Sequence, residues 1–119
     1  MNDIILGYIK EYIGIASDNS VFDSELLSIA NTTASILSQL GVQAFDGLTI
    51  GPTTEWPDFV GDDILENMCK THMSVRVSTI FDPTASATIA QVKKVYISEL
   101  EFRIQSQVET DVSRRLYVN

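Results

Sequence analysis

The sequence has very few of the residues on which disulfide-stabilised, metal-binding and catalytic proteins depend. Among its 119 residues are one cysteine, one histidine and three prolines. A single cysteine, Cys69, excludes a disulfide within the chain, and the start lacks a charged, apolar leader, so we expect a protein that is not secreted. A structural metal site needs about four ligands, more than one cysteine and one histidine supply.

Basic residues and long apolar runs are also scarce. The chain has 8 Lys and Arg against 16 Asp and Glu, with a formal net charge of −8 and a pI of about 4.4. Affinity for nucleic acid comes largely from basic side chains, so specific DNA binding is not expected, although DNA can pass an acidic wall without adhering to it. No apolar run approaches the roughly 18 residues of a membrane span, and lipid is not an expected partner.

The few chemically suggestive residues have ordinary structural explanations. His72 follows Cys69 by about one helical turn, which predicts that both pack on one helix face. The acidic pairs Asp62-Asp63 and Glu99, Glu101 fit a helix N-terminus and a solvated helix face. No glycine-rich phosphate loop or nucleophile elbow is present. The sequence therefore predicts a protein that is not an enzyme and has no catalytic, cofactor-binding or metal-binding residues.

Apolar residues recur with helical spacing in four segments, which predicts an all-α fold, a small bundle of four main helices. The predicted helices cover residues 3–14, 23–40, 62–81 and 83–109, and the last is unusually long. Between the second and third, residues 43–61 lose the periodicity but keep many apolar side chains, which is typical of a packed connection.

Several residues mark where these helices begin and end. Asp23 is predicted to cap the second helix, and Gly41 to end it in a left-handed conformation with Val42 packed back on the helix. Thr54 is predicted to cap a short helical turn that runs to Val60.

The clearest helix boundary in the sequence is Asp82-Pro83, which lies between the two longest predicted helices. Proline cannot continue the preceding helix, but it suits the first position of a new one with Asp82 as N-cap. We therefore predict a corner there.

The fourth predicted helix has apolar residues on two faces. One face carries Ile89, Val92, Tyr96 and Leu100, and the other carries Ala90, Ile97, Ile104 and Val108. About 27 helical residues span about 40 Å, against a radius of gyration of about 13 to 14 Å for a compact chain of this length. One subunit does not easily cover both faces, so Ile97, Ile104 and Val108 are candidate intersubunit contacts.

After this helix, apolar and polar residues alternate weakly from Val112 to Val118, which favours an extended C-terminal tail. We therefore divide the chain into a helical domain, 1–108, and a tail, 109–119, that is ordered by a partner. In the tail a basic doublet stands beside Leu116 and Tyr117, and arginine and tyrosine are common interface anchors. The candidate partner contacts are Arg114, Arg115, Leu116 and Tyr117.

Short motifs recur along the chain in a recognisable order. They are YIKEYIGI from Tyr8, FDSELL from Phe22, QLGV from Gln39, WPDF from Trp56, FDP from Phe81 and ELEFR from Glu99. Over roughly residues 5 to 104, this order resembles the small head-tail connector proteins of tailed bacteriophages, also called adaptor or head completion proteins.

The resemblance implies a structural virion protein of the neck, made in the host cytoplasm. It implies a homo-oligomeric ring, commonly of twelve subunits, beneath the portal protein, which continues the DNA channel and offers a surface to the next neck or tail-completion protein. DNA would pass through without specific binding. In relatives the C-terminal segment often docks on the portal, and residues 109–119 are the matching segment here.

A different class of function fits the same pattern. A cytoplasmic helical regulator that binds another protein, and dimerises through its fourth helix, would bury the same apolar faces in a closed two-fold contact. The sequence pattern does not separate this dimer from a ring.

Overall fold

The computed structural model describes residues 3–81 and 87–117, with side chains up to residue 113. The described residues form four α-helices: α1 (Ile5–Ile13), α2 (Asp23–Gln39), α3 (Asp63–Phe81) and α4 (Ala87–Tyr117). Within these ranges the only β pairing is an isolated bridge between Ile4 and Glu55. The predicted all-α fold with a long C-terminal helix is confirmed. None of the described helices combines the length and apolar character needed to span a membrane.

Helix α1 ends where the sequence predicts. Gly14 has a φ of 92°, and its amide and that of Ile15 both donate to the carbonyl of Lys10 at 2.9 Å. A left-handed residue of this kind is easiest for glycine, which has no Cβ. The chain then turns toward α2.

Helix α2 begins at Asp23, but the prediction that Asp23 caps it is wrong. Asp23 already belongs to the helix, and no side chain caps the preceding Phe22 position. The Asp23 carboxylate instead accepts a hydrogen bond at 2.9 Å from Lys10, a lysine that is almost wholly buried. A buried ammonium needs a paired charge, and this demand outweighs the capping preference of Asp23.

The predicted end of α2 is confirmed. Gly41 has a φ of 101°. The Val42 amide donates to the Leu37 carbonyl at 3.1 Å, and the Gly41 amide donates to the Ser38 carbonyl at 3.0 Å. These are the two hydrogen bonds of a Schellman motif, and Val42 and Leu37 are both buried in the core.

The connection after α2 is packed against the bundle. It begins with a 3₁₀ turn, Gln43–Phe45, and its Phe45 and Phe59 rings meet edge to face at 5.7 Å. The side chain of Asn31 donates to the carbonyl of Ile50 at 3.0 Å and accepts from its amide at 2.8 Å. One α2 side chain thus satisfies both main-chain groups of a buried residue in the connection.

The helical turn predicted for residues 54–60 is wrong. Thr54 accepts a hydrogen bond from the amide of Gly51 at 2.8 Å, so it closes the preceding turn. The following main chain lies along the start of α1, where Ile5 donates to the Thr54 carbonyl and Trp56 donates to the Asp3 carbonyl. These pairings satisfy backbone groups that a helical turn would use locally.

Lys70 of α3 holds the connection to the bundle. Its ammonium lies 5.5 Å from the centre of the Trp56 ring and 5.6 Å from that of Tyr8, and it pairs with Glu66 at 2.9 Å. The two rings meet edge to face at 5.4 Å. Cation–π attraction of this kind is stronger when the cation is desolvated, and Lys70 is buried. The cluster joins α1, the connection and α3.

Helix α3 is the central element. Asp62 caps it by accepting a hydrogen bond from the Leu65 amide at 3.1 Å, which agrees with the predicted start. It packs against α1, α2 and α4, and its buried residues face several directions. The two-faced pattern seen in its sequence thus marks a helix enclosed by the other three.

Helix α4 is longer than the sequence predicts at its C-terminal end. The extended conformation predicted after residue 109 is wrong as far as Tyr117, because the backbone remains helical. Local contacts support the helix there: Thr110 donates to the carbonyl of Ser106 at 2.9 Å. The helix crosses residue 108 without a break, and a separate tail that a partner orders stays a prediction. The predicted corner at Asp82-Pro83 lies outside the described residues.

The length of α4 shapes the molecule. Its 31 residues span about 46 Å. The molecule measures 50 × 34 × 23 Å, with a radius of gyration of 14.9 Å. The helix is therefore nearly as long as the molecule itself.

We predict that Gly41→Ala destabilises the protein more than Gly47→Ala. Both glycines have positive φ, 101° and 70°, so each substitution should cost about 1–2 kcal/mol in backbone strain. At Gly41 the new Cβ would also lie 3.0 Å from Cγ1 of Val108 on α4, whereas nothing lies within 4 Å at Gly47. Urea unfolding of both variants measures the difference. Equal losses would contradict the close approach of Gly41 to Val108 of α4.

Candidate interaction surfaces

The first half of α4 displays apolar side chains to solvent. Four of them, which we name the α4 stripe, are between 43% and 62% exposed: Ile89, Val92, Val95 and Tyr96. At about 100° per residue, they occupy adjoining positions on one side of the helix. Clustered apolar side chains of this kind mark a contact surface more often than single exposed ones do.

The residues predicted as intersubunit contacts lie elsewhere on α4. Ile104 is 0% exposed and belongs to the chain's own core, and Val108 packs against that core. Ile97 is half-buried. The periodicity of α4 revealed two apolar faces, but it carried no information on which face α3 would cover. Ile104 has no exposed surface in the folded chain, whereas a contact role for Ile97 and Val108 stays a prediction.

The four candidate partner contacts lie in the last turns of α4. Residues 114–117 are helical, and their side chains lie outside the described part of the structure. The structure therefore places Arg114, Arg115, Leu116 and Tyr117 at the C-terminal end of the long helix. Their role as a partner contact stays a prediction.

An open groove of about 650 Å³, which we name the end groove, lies at the end of the bundle where α3 begins. Its walls come from residues 41–44, which follow α2, from residues 58–65, and from one stretch of α4, residues 107–112. Four aspartates line it: Asp58, Asp62, Asp63 and Asp111. Exposed Val60, Ile64 and Val112 supply apolar surface. The sequence carries no signal for this groove, because its residues come from three separate segments.

The turn that contains Asp58 and Val60 forms the apolar edge of the end groove. Val60 has a φ of 54°, which is rare for a β-branched residue, and its amide donates to the Asp58 carboxylate at 2.8 Å. The Val60 side chain is 89% exposed. This turn therefore holds a valine out in solvent.

A buried polar contact joins α3 to α4. His72 is 0% exposed, and its Nε2 lies 2.9 Å from a carboxylate oxygen of Glu101. Its Nδ1 has no hydrogen-bond partner among the described residues. Burial lowers the pKa of His72 below its usual value; the Glu101 carboxylate opposes that shift, and nearby Arg76 adds to it. The imidazole is therefore neutral near pH 7, and its Nε2–H tautomer donates to the Glu101 side chain.

The sequence did not reveal this pair, since the two residues stand 29 positions apart. Glu101 was interpreted as part of a solvated face with Glu99. Glu99 does lie on an exposed face, where it pairs with Arg103 at 2.9 Å. The sequence did contain a signal for such a partner. His72 is the chain's only histidine and lies among apolar α3 residues, and a buried histidine requires a polar partner from another element.

The single thiol is inert. Cys69 is buried, and burial together with the Asp62 charge raises its pKa to about 12. The reactive form of cysteine is the thiolate, which such a pKa suppresses at neutral pH. Across residues 3–81 and 87–117, no three His, Cys, Asp or Glu residues are grouped in a way that would hold a metal ion.

Comparison with known families identifies the family of this chain, which the geometry alone does not. The family described as phage connector protein matches residues 5–111, which include α1 to α3 and most of α4. The chain belongs to the phage connector protein family. No curated protein and no solved structure gives a significant match.

Membership confirms the resemblance carried by the short motifs. The connector is a structural component of the virion. The match includes the α4 stripe, the His72–Glu101 pair and all of the end groove except Val112, and it stops before residues 114–117.

We predict that the connector loses stability in acid partly through His72. The unfolded histidine, with a pKa of about 6.5, binds a proton at higher pH than the folded one does. The stabilising contribution is therefore complete above about pH 6.5 and is lost as the pH falls through the lower folded pKa, with a slope of at most about 1.4 kcal/mol per pH unit. Urea unfolding between pH 8 and pH 5 measures it.

The matched variant is His72→Gln, which keeps a hydrogen-bond donor for Glu101 but does not titrate. The carboxylates contribute to the pH dependence of unfolding in both proteins. The difference between the two pH profiles of the free energy of unfolding therefore reports the contribution of His72 alone. Parallel profiles would show that His72 does not titrate differently in the folded and unfolded states.

Proposed function

We propose that the connector forms a ring beneath the portal protein, joins the phage head to the tail and continues the DNA channel. The observation that carries this proposal is the α4 stripe on a member of the phage connector family. A ring requires that a patch on each subunit meets a different patch on the next, and such contacts close by rotation. The first half of α4 supplies one apolar patch that its own subunit leaves exposed.

The charge of the chain suits a channel for DNA. With a formal net charge of −8, the connector repels a polyanion rather than binding it. An acidic lumen lets DNA pass without specific contacts. Neither the ring nor the lumen requires a cofactor.

The C-terminal end of α4 is the proposed contact with the portal. Arg114, Arg115, Leu116 and Tyr117 combine charge with apolar and aromatic surface, and arginine and tyrosine are enriched among interface anchors. The opposite surface of the ring would receive the next neck or tail-completion protein. By resemblance we expect twelve subunits, with the assembled ring located at the neck of the virion.

We predict that Val92→Glu prevents ring assembly without unfolding the subunit. Val92 is 62% exposed, so the change removes little core packing but places a charge in the α4 stripe. A desolvated, unpaired charge at an interface costs several kcal/mol, which is enough to abolish assembly at micromolar concentration. Mixing the connector with purified portal, followed by native mass measurement and electron microscopy, counts the subunits.

The control is Ser98→Glu, which adds the same charge at an exposed polar position of the same helix. It should assemble as the wild type does, and both variants should keep the wild-type melting temperature. A wild-type chain that forms a closed dimer and ignores portal would contradict the ring and favour the regulator. A ring that tolerates Val92→Glu would exclude Val92 as a contact.

A further inference from the structure

The end groove combines exposed apolar side chains with acidic ones. Val60, Ile64 and Val112 leave apolar surface exposed around a cavity of about 650 Å³. Apolar surface at a concave site is the usual ground for binding, because a ligand there is desolvated on several sides. The groove is open to solvent and is large enough for several side chains of another chain.

The negative charge of the end groove restricts which kind of protein segment can bind there. Its four aspartates come from two segments, residues 58–63 and residue 111, and no lysine, arginine or histidine lines it among the described residues. One oxygen of Asp58 and one of Asp62 accept hydrogen bonds from local amides, which holds both carboxylates in place. An occupant that carries lysine or arginine beside apolar residues would complement both the charge and the apolar surface.

The groove lies close to the segment that we propose as the portal contact. Val112 forms part of its wall, and α4 continues from there to Tyr117, about 8 Å farther on. The groove thus lies at the same end of the molecule as the segment proposed to contact portal. The other end of α3 lies about 28 Å away, where Phe81 meets Phe22 edge to face.

We propose that the end groove receives a segment of the portal protein in which lysine or arginine residues stand beside apolar ones. This inference rests on the proposed function, since it names the portal as the partner and adds a second contact to the C-terminal turns of α4. Apolar side chains of that segment pack on Val60, Ile64 and Val112. Its basic groups pair with the aspartates at the rim.

Site-specific cross-linking tests the occupant. A Val60→Cys variant can be labelled with benzophenone maleimide at the introduced thiol alone, because Cys69 is buried and its pKa is about 12. The control is Val21→Cys, at a residue 80% exposed in the turn before α2, near the other end of α3. Each labelled protein is assembled with portal and irradiated, and the attached peptides are identified by mass spectrometry.

We expect Val60→Cys to attach to a portal peptide that contains lysine or arginine beside apolar residues, and Val21→Cys not to attach to that peptide. Attachment of the Val60 label to a second copy of the connector, or to no chain in an assembled complex, would overturn the inference. Attachment to portal from both positions would show that the groove is not the site.

Charge removal provides an independent test. The double variant Asp58→Asn, Asp63→Asn keeps the side-chain oxygen that accepts from Val60 but removes two negative charges from the groove. The control, Glu11→Gln with Asp18→Asn, removes two charges from exposed positions outside the groove. We expect the groove variant to bind portal about tenfold more weakly at low salt, and the control to bind as the wild type does.

Raising the salt concentration should reduce the difference between the two, since salt screens rim charges. Equal affinities in the two variants would overturn this inference while leaving the ring beneath portal intact. A wild-type connector that does not bind portal at all would overturn the proposed function and this inference together.

Discussion

The enclosure of α3 by the other three helices is the constraint on which the rest of the structure depends. A helix covered on several sides buries polar groups as well as apolar ones, and here Lys70 and His72 are buried along it. Buried polar groups need partners, and these partners position the neighbouring elements. Lys70 positions the connection through Tyr8 and Trp56, and His72 positions α4 through Glu101.

Local signals in the sequence predicted the features that depend on local chemistry. Gly14 and Gly41 end their helices because a left-handed residue favours glycine, and Asp62 begins α3 because its carboxylate reaches a free amide. The same rules failed at Asp23 and Thr54, where partners from distant segments, Lys10 and the start of α1, decided the outcome. A single sequence carries no direct record of such pairings.

The exposed surfaces also depend partly on local sequence and partly on contacts between distant segments. Periodicity identified two apolar faces on α4, and only the packing of α3 determined that Ile104 belongs to the core while Val92 lies in solvent. The end groove had no signal in the sequence, since the residues after α2, the turn before α3, α3 itself and α4 each contribute a part. For a member of the phage connector family, these exposed surfaces matter more than any cluster of reactive groups, because a connector acts by contact with neighbouring chains.

The position of Trp56 has a practical consequence. It is the chain's only tryptophan, and it lies at the junction of α1, the connection and α3, with the Lys70 ammonium over its ring. Indole emission depends on nearby charge and on exposure to water. The protein therefore carries a built-in fluorescent reporter at the place where the connection is held to the bundle, and its signal distinguishes local detachment of that segment from rearrangements at the far end of α4.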